Sequence, residues 1–181
     1  YSVTKVEEKD VKRSPAPPFI TSTLQQEASR KLGFSVKKTM MLAQQLYEGV
    51  EHGKGVTGLI TYMRTDSVNL SEIATKQARE VITKEFGKEF ALPTPRLYKG
   101  RKGAQEAHEA IRPVDLSLKP EDVRSYLEAD QFKIYEMIWK RTLACQMKEA
   151  LLKALGVDIT PDKATDYTFR ATGQTIEFPG F

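Results

Sequence analysis

The chain of 181 residues is 40% apolar and 29% charged, with a formal net charge of +4. That balance supports a folded core and excludes wholesale disorder. It permits a polyanionic partner without requiring one. No run approaches 18 apolar residues, which excludes a spanning helix, and a single cysteine, Cys145, excludes an internal disulfide and suits a reducing compartment. In chain order, YSVTKVEEKDVKR (1–13) predicts a strand whose partner is missing, and SPAPP (14–18) a linker. Ser22 and Gln25 have capping-box spacing and Gly33 is a natural stop, so a helix is expected over 22–32. Ser35 caps a second helix that Gly49 ends, and Asn69 with Glu72 caps a third that ends at Gly87. Between them GLITYM (58–63) is apolar and β-branched, an expected strand or extended segment. Residues 92–103 are irregular and basic, and AQEAHEAIRP is a short helix halted by Pro113. Residues 119–155 carry helical spacing for most of their length, with a pause near 128–130. DYTFRATGQTIEFPGF alternates as a strand pair turning at Gly173.

The fold class expected is mainly α with flanking antiparallel β segments. With no signal pattern before Tyr1 and no cap behind PGF, we expect a piece of a longer polypeptide.

Several motifs lack their context. GKGVTG (53–58) matches G-x-G-x-x-G but follows a helix and leads into a strand, the reverse of a dinucleotide site. His108-Glu109 opens like H-E-x-x-H, yet the fifth residue is Arg112. With only His52, His108 and Cys145, no histidine/cysteine metal cluster is expected. Hydrolase and kinase signatures are absent.

Three features remain. On an extended segment Tyr62, Arg64 and Asp66 share one face, and Thr61, Met63 and Thr65 the other. Tyrosine is a weak nucleophile at its ordinary pKa of about 10. A guanidinium beside it stabilises a phenolate and pairs bidentately with phosphate, and a carboxylate can orient that guanidinium. Spacing alone leaves a core tyrosine with a surface ion pair as an open alternative. His108 and Arg112 would share a helix face suited to a phosphate contact, or be ordinary surface residues. Lys99, Arg101 and Lys102 form a basic tract that fits phosphate or is a solvated loop, and Lys37 with Lys38 poses the same choice. Phe132, Tyr135, Ile138 and Trp139 have core spacing, and Cys145 is a small buried hydrophobe.

PFITSTLQQEASRKLGFSVKKTMMLAQQLYE, then GLITYMRTDS, then AHEAIRP, in that order, resemble the type IA DNA topoisomerases over residues 17–148. Within that family Met63 and Glu109 favour the bacterial topoisomerase I branch over topoisomerase III, which usually has proline and a second histidine there. Val114 departs from the family's frequent threonine. The resemblance implies that Tyr62 is the nucleophile, becoming linked to the 5′-phosphate of a cleaved strand, and that Arg64 steadies the phosphate. Asp66, Thr65, His108, Arg112, Lys99, Arg101 and Lys102 form the expected DNA-contacting set. It further implies a helical domain over 19–150 inserted into a β-rich arch made by 1–18 and 151–181. The partners implied are single-stranded DNA and the missing Toprim and other domains of the same polypeptide. Magnesium belongs to the intact enzyme, on ligands outside this chain, and no metal is expected on this chain. The implied activity is relaxation of negatively supercoiled DNA in the bacterial cytoplasm, at the nucleoid, with the isolated piece inactive. The rival reading is a non-catalytic nucleic-acid-binding helical module.

Overall fold

The computed structural model describes residues 1–51, 55–99, 108–163 and 166–181. These divide into two compact units: residues 16–147, and residues 1–15 together with 148–181.

The first unit holds five helices among the described residues: α1 (Thr21–Leu32), α2 (Val36–Glu48), α3 (Glu72–Glu85), α4 (Pro120–Val123) and α5 (Ala129–Cys145). A short antiparallel pair, β2 (Val50–Glu51) and β3 (Val56–Thr57), follows α2. Ser35 caps α2 as expected, its hydroxyl accepting from Lys38 N–H. Two other caps sit one or two residues from their predicted places. Thr23, rather than a Ser22/Gln25 box, accepts the Ile20 N–H at 3.0 Å at the start of α1. Ser71, rather than Asn69, caps α3 by accepting from Ala74 N–H. Gly33 takes φ 68°, and the Gly33 and Phe34 N–H groups close α1 on Ser29 O and Ala28 O.

Fully buried Phe19, Leu24, Leu46, Ile60, Ile82, Ile111, Ile134, Tyr135 and Ile138 form the centre of this unit. The two large aromatics on α5 pack their rings there and still satisfy their polar ends. Tyr135 Oη donates to Leu118 O at 2.7 Å and Trp139 Nε1 to Leu116 O at 3.0 Å. Burial drives the Tyr135 pKa well above its ordinary value and pushes the Cys145 thiol up to about 12, so the cysteine behaves as an inert hydrophobe.

Residues 58–63, expected as a strand or an extended segment, join no strand; Ile60 makes a single antiparallel bridge with Pro113. The described part of the predicted AQEAHEAIRP helix is extended, with Ile111 bridged to Phe19. Proline disfavours helical backbone in the residue before it, and the extended path lets two segments pair with it at once.

The second unit is a three-stranded antiparallel sheet in the order β1 (Ser2–Arg13), β4 (Ala150–Thr160), β5 (Phe169–Phe178). Three expectations fail here. β1 has its partner within the chain, running from Ser2 opposite Thr160 to Arg13 opposite Ala150. Residues 150–155 are strand rather than the continuation of a helix. Leu151, Leu152 and Leu155 fit either period, and pairing on both sides of β4 decides the outcome, as context commonly does for β structure. Residues 169–178 form one strand, and Gly173 lies within the ladder opposite Leu155 instead of at a turn. On one face Glu7 gathers Lys9 at 2.9 Å and Arg170 at 3.2 Å, and Arg170 reaches Asp158 at 2.9 Å.

Candidate active site

The segment from Leu59 to Ser67 owes its shape to hydroxyl groups. Thr21, first residue of α1, accepts from Thr65 N–H at 2.9 Å and donates to Met63 O at 2.8 Å. The Thr21 N–H donates in turn to Thr65 O at 3.0 Å. Thr61 does the same for the other half: its hydroxyl donates to Ala110 O at 2.7 Å and accepts from Arg112 N–H at 3.0 Å. Backbone bonds from Thr61 N–H to Arg112 O and from Val114 N–H to Leu59 O complete the attachment. Thr65 Oγ then accepts from Ser67 N–H, and Ser67 Oγ from Asn69 N–H, turning the chain toward α3.

Held this way the segment alternates without being a strand. Met63, Thr65 and Ser67 are buried, and Tyr62, Arg64 and Asp66 are exposed. Tyr62 is 50% exposed, and its hydroxyl makes no hydrogen bond among the described residues. The same holds for the Arg64 and Asp66 side chains: neither forms an ion pair with the other or with any described group. The expected orientation of Arg64 by Asp66 is therefore not present. What the segment displays is a phenol, a guanidinium and a carboxylate on alternate positions, each without a hydrogen-bond or ion-pair partner among the described residues.

The other predicted site residues separate. Thr65 points inward, with its hydroxyl and backbone committed to Ser67 and Thr21. His108 is exposed and Lys99 is exposed. Arg101 and Lys102 lie outside the described residues. Arg112 shares no helix face with His108, because residues 108–112 are not helical. Its side chain is only 12% exposed and forks onto Glu109, Nη2 to Oε2 at 2.6 Å and Nε to Oε1 at 3.3 Å, while Nη1 donates to Pro113 O at 2.8 Å. Arg112 thus ties this segment together internally. Lys38 is paired with Asp130 at 2.6 Å and lies over the Phe34 ring.

Four residues that sequence reasoning missed do the positioning: Thr21, Thr61, Glu109 and Ser71. Glu109 Oε1 accepts from the Ser71 N–H at 2.7 Å, joining the Arg112 fork to the start of α3. No local pattern marks Thr21 or Thr61, because their partners lie more than 40 residues away, and the cap of α3 was expected at Asn69 rather than at Ser71. Burial raises the pKa of the Glu109 carboxyl, but the Arg112 and Ser71 bonds together outweigh it and hold it below the ordinary 4.5. A depressed carboxylate contributes stability that is present above pH 4.5 and lost as pH falls through the folded-state value. Glu109→Gln is therefore expected to lower stability at pH 7 by about 1–3 kcal/mol, since Arg112 is left buried with a poorer partner. In thermal unfolding the gap between parent and variant should narrow as pH drops below 4.5; a gap constant from pH 7 to pH 3 would refute the role given to the carboxylate.

No group of three or more His, Cys, Asp or Glu side chains that could hold a metal occurs among the described residues. No described helix is long and apolar enough to cross a membrane.

A family model described as DNA topoisomerase matches residues 1–181. Proteins named DNA topoisomerase 1 are 52% identical in Rickettsia bellii, 51% in Rickettsia felis and 50% in Rickettsia typhi, each match covering 100% of this chain. The chain spans 23% of the length of those relatives. Among solved structures, full-length topoisomerase I from Thermotoga maritima superposes with a TM-score of 0.86 at 45% identity, over 97% of this chain and 28% of that one.

Proposed function

Given that the chain belongs to the DNA topoisomerase family, we propose that it supplies the nucleophile of a type IA enzyme, with Tyr62 as the attacking residue. The observation that carries this reading is the display of Tyr62 and Arg64 side by side on a segment whose intervening side chains are buried. A surface ion pair would have consumed Arg64; here the guanidinium is uncommitted among the described residues, as a phosphate ligand needs to be.

In the proposed step Tyr62 Oη attacks a backbone phosphorus of single-stranded DNA. A phosphotyrosyl O–P bond forms, the P–O3′ bond breaks, and the tyrosine proton is lost while the departing 3′ oxygen gains one. One phosphodiester replaces another, so religation is the reverse reaction and no high-energy cofactor is consumed. Arg64 offsets charge on the phosphoryl oxygens, and its backbone is held on both sides by Thr21, which fixes where the guanidinium starts from. Asp66, exposed on the same segment, and the exposed His108 are proposed as further DNA contacts. Magnesium, if used by the intact enzyme, is expected to find its ligands outside this chain, and no step here is routed through it. Strand passage through the gap and relaxation of negative supercoils are the expected result in the full-length bacterial protein, together with a Toprim-type region. We expect residues 1–181 alone not to cleave, because no described side chain is hydrogen-bonded to the Tyr62 hydroxyl to act as an acid/base partner.

The test is a single-stranded oligonucleotide incubated with the full-length protein and magnesium, then denatured. A 3′-end label should migrate with the protein and a 5′-end label should not. Label transfer from the 5′ end, or no adduct with either, would overturn the reading.

A further inference from the structure

Tyr62 does not stand alone at the surface. The ring of Tyr47, on the last turn of α2, lies 5.3 Å from the Tyr62 ring at an interplanar angle of 63°, an edge-to-face contact. Both rings are about half exposed, 43% for Tyr47 and 50% for Tyr62, so the contact is not a by-product of core packing.

The backbone is arranged to keep the two rings in register. Leu59 N–H donates to Leu46 O at 2.8 Å, tying the approach to Tyr62 onto the residue before Tyr47. Gly58 comes so close to α2 that a Cβ there would sit 2.5 Å from Tyr47 O, a backbone atom that cannot move aside cheaply. Thr61 fixes the residue immediately before Tyr62 from the other direction, through Ala110 and Arg112. The main chain at Tyr62 is thereby fixed, and the remaining freedom is rotation of the Tyr62 side chain about its own bonds. Tyr47 is the described neighbour whose ring limits that rotation.

We propose that Tyr47 is a positioning residue for the reaction, its ring holding the Tyr62 phenol in the orientation from which Oη meets the phosphorus. The proposal rests on the reading of Tyr62 as nucleophile. It assigns Tyr47 no contact with DNA and no proton transfer; the ring, not the hydroxyl, does the positioning.

The experiment uses the full-length protein and a 3′-end-labelled single-stranded oligonucleotide. It measures the single-turnover rate of adduct formation, the Kd for the oligonucleotide, and the melting temperature. Tyr47→Ala should slow adduct formation roughly ten- to a hundredfold, the scale of losing one aromatic contact and some orientation of the attacking atom. Its Kd should stay within about twofold and its melting temperature within a few degrees, since the position is half exposed. Tyr47→Phe keeps the ring and should restore most of the rate. A parental rate in Tyr47→Ala would overturn the proposal, as would a Tyr47→Phe rate as low as that of Tyr47→Ala, or a Kd that rises in step with the lost rate. Tyr62→Phe, run alongside, separates the two levels: an adduct formed by that variant overturns the nucleophile assignment and this proposal with it.

Discussion

Tyr62→Phe, introduced into the full-length protein, should abolish covalent adduct formation, by at least about a thousandfold, and leave the fold intact. The substitution removes one oxygen from a ring that is half exposed. That oxygen has no hydrogen-bond partner among the described residues, so no buried group is left unsatisfied, and surface changes of this kind stay within about 0.5 kcal/mol. The edge-to-face contact with Tyr47 needs only the ring and survives. Removing the nucleophile from a covalent mechanism, by contrast, leaves binding without chemistry. Adduct formation, oligonucleotide Kd and melting temperature measured together distinguish the outcomes. Residual cleavage near the parental rate would show that another group attacks. A lowered melting temperature accompanying the loss would show that the hydroxyl was structural.

The largest effect on stability is expected from Phe19→Ala, about 3–5 kcal/mol, the usual range for deleting a fully buried aromatic. Phe19 has no exposed surface, and its neighbours explain why little collapse could fill the gap. Its carbonyl accepts from Ile111 N–H at 2.8 Å, fixing the main chain. The Arg141 guanidinium lies 4.3 Å from the ring centre, and that guanidinium is itself held by Glu27 and by Pro17 O. Truncating the ring therefore leaves a void beneath a tethered charge. Urea unfolding is the direct measurement, with a lowered midpoint and an unchanged slope expected. A cost below about 1 kcal/mol would mean that the surroundings repack freely, contrary to the anchored geometry described.

Helices with strong periodicity and a flanking stop were legible in the sequence. α2 begins at its predicted Ser35 cap, α3 falls between its predicted capping residues and Gly87, and α5 falls within the stretch of helical apolar spacing. Legibility ended where the deciding partner is distant. Residues 150–155 carry leucines that satisfy a helix as well as a strand, and only β1 and β5 on either side choose between them. His108 to Pro113 looked helical until pairing with Phe19 and Ile60 was available. The alternation across Tyr62, Arg64 and Asp66 was visible because side chains on any extended backbone alternate. The threonine contacts that enforce it were not, since a hydroxyl that bonds a carbonyl across 42 residues leaves no local trace. Arg112 illustrates the opposite failure: a cation beside a candidate histidine invited a ligand role, yet its partner was Glu109, three positions away.

The threonine clamps also set an order of events. Thr21 and Thr61 join residues 42 to 51 positions apart in sequence, and loops of that length close only after local helices have formed. The segment bearing Tyr62 has no ladder of its own to form earlier. It should acquire its shape late in folding, and by the same balance be among the first parts to open, which native-state hydrogen exchange at the Thr61, Thr65 and Arg112 amides would register. A partly folded chain carries the tyrosine but not the site, so the joint display of Tyr62 and Arg64 on an anchored backbone exists only once folding is complete.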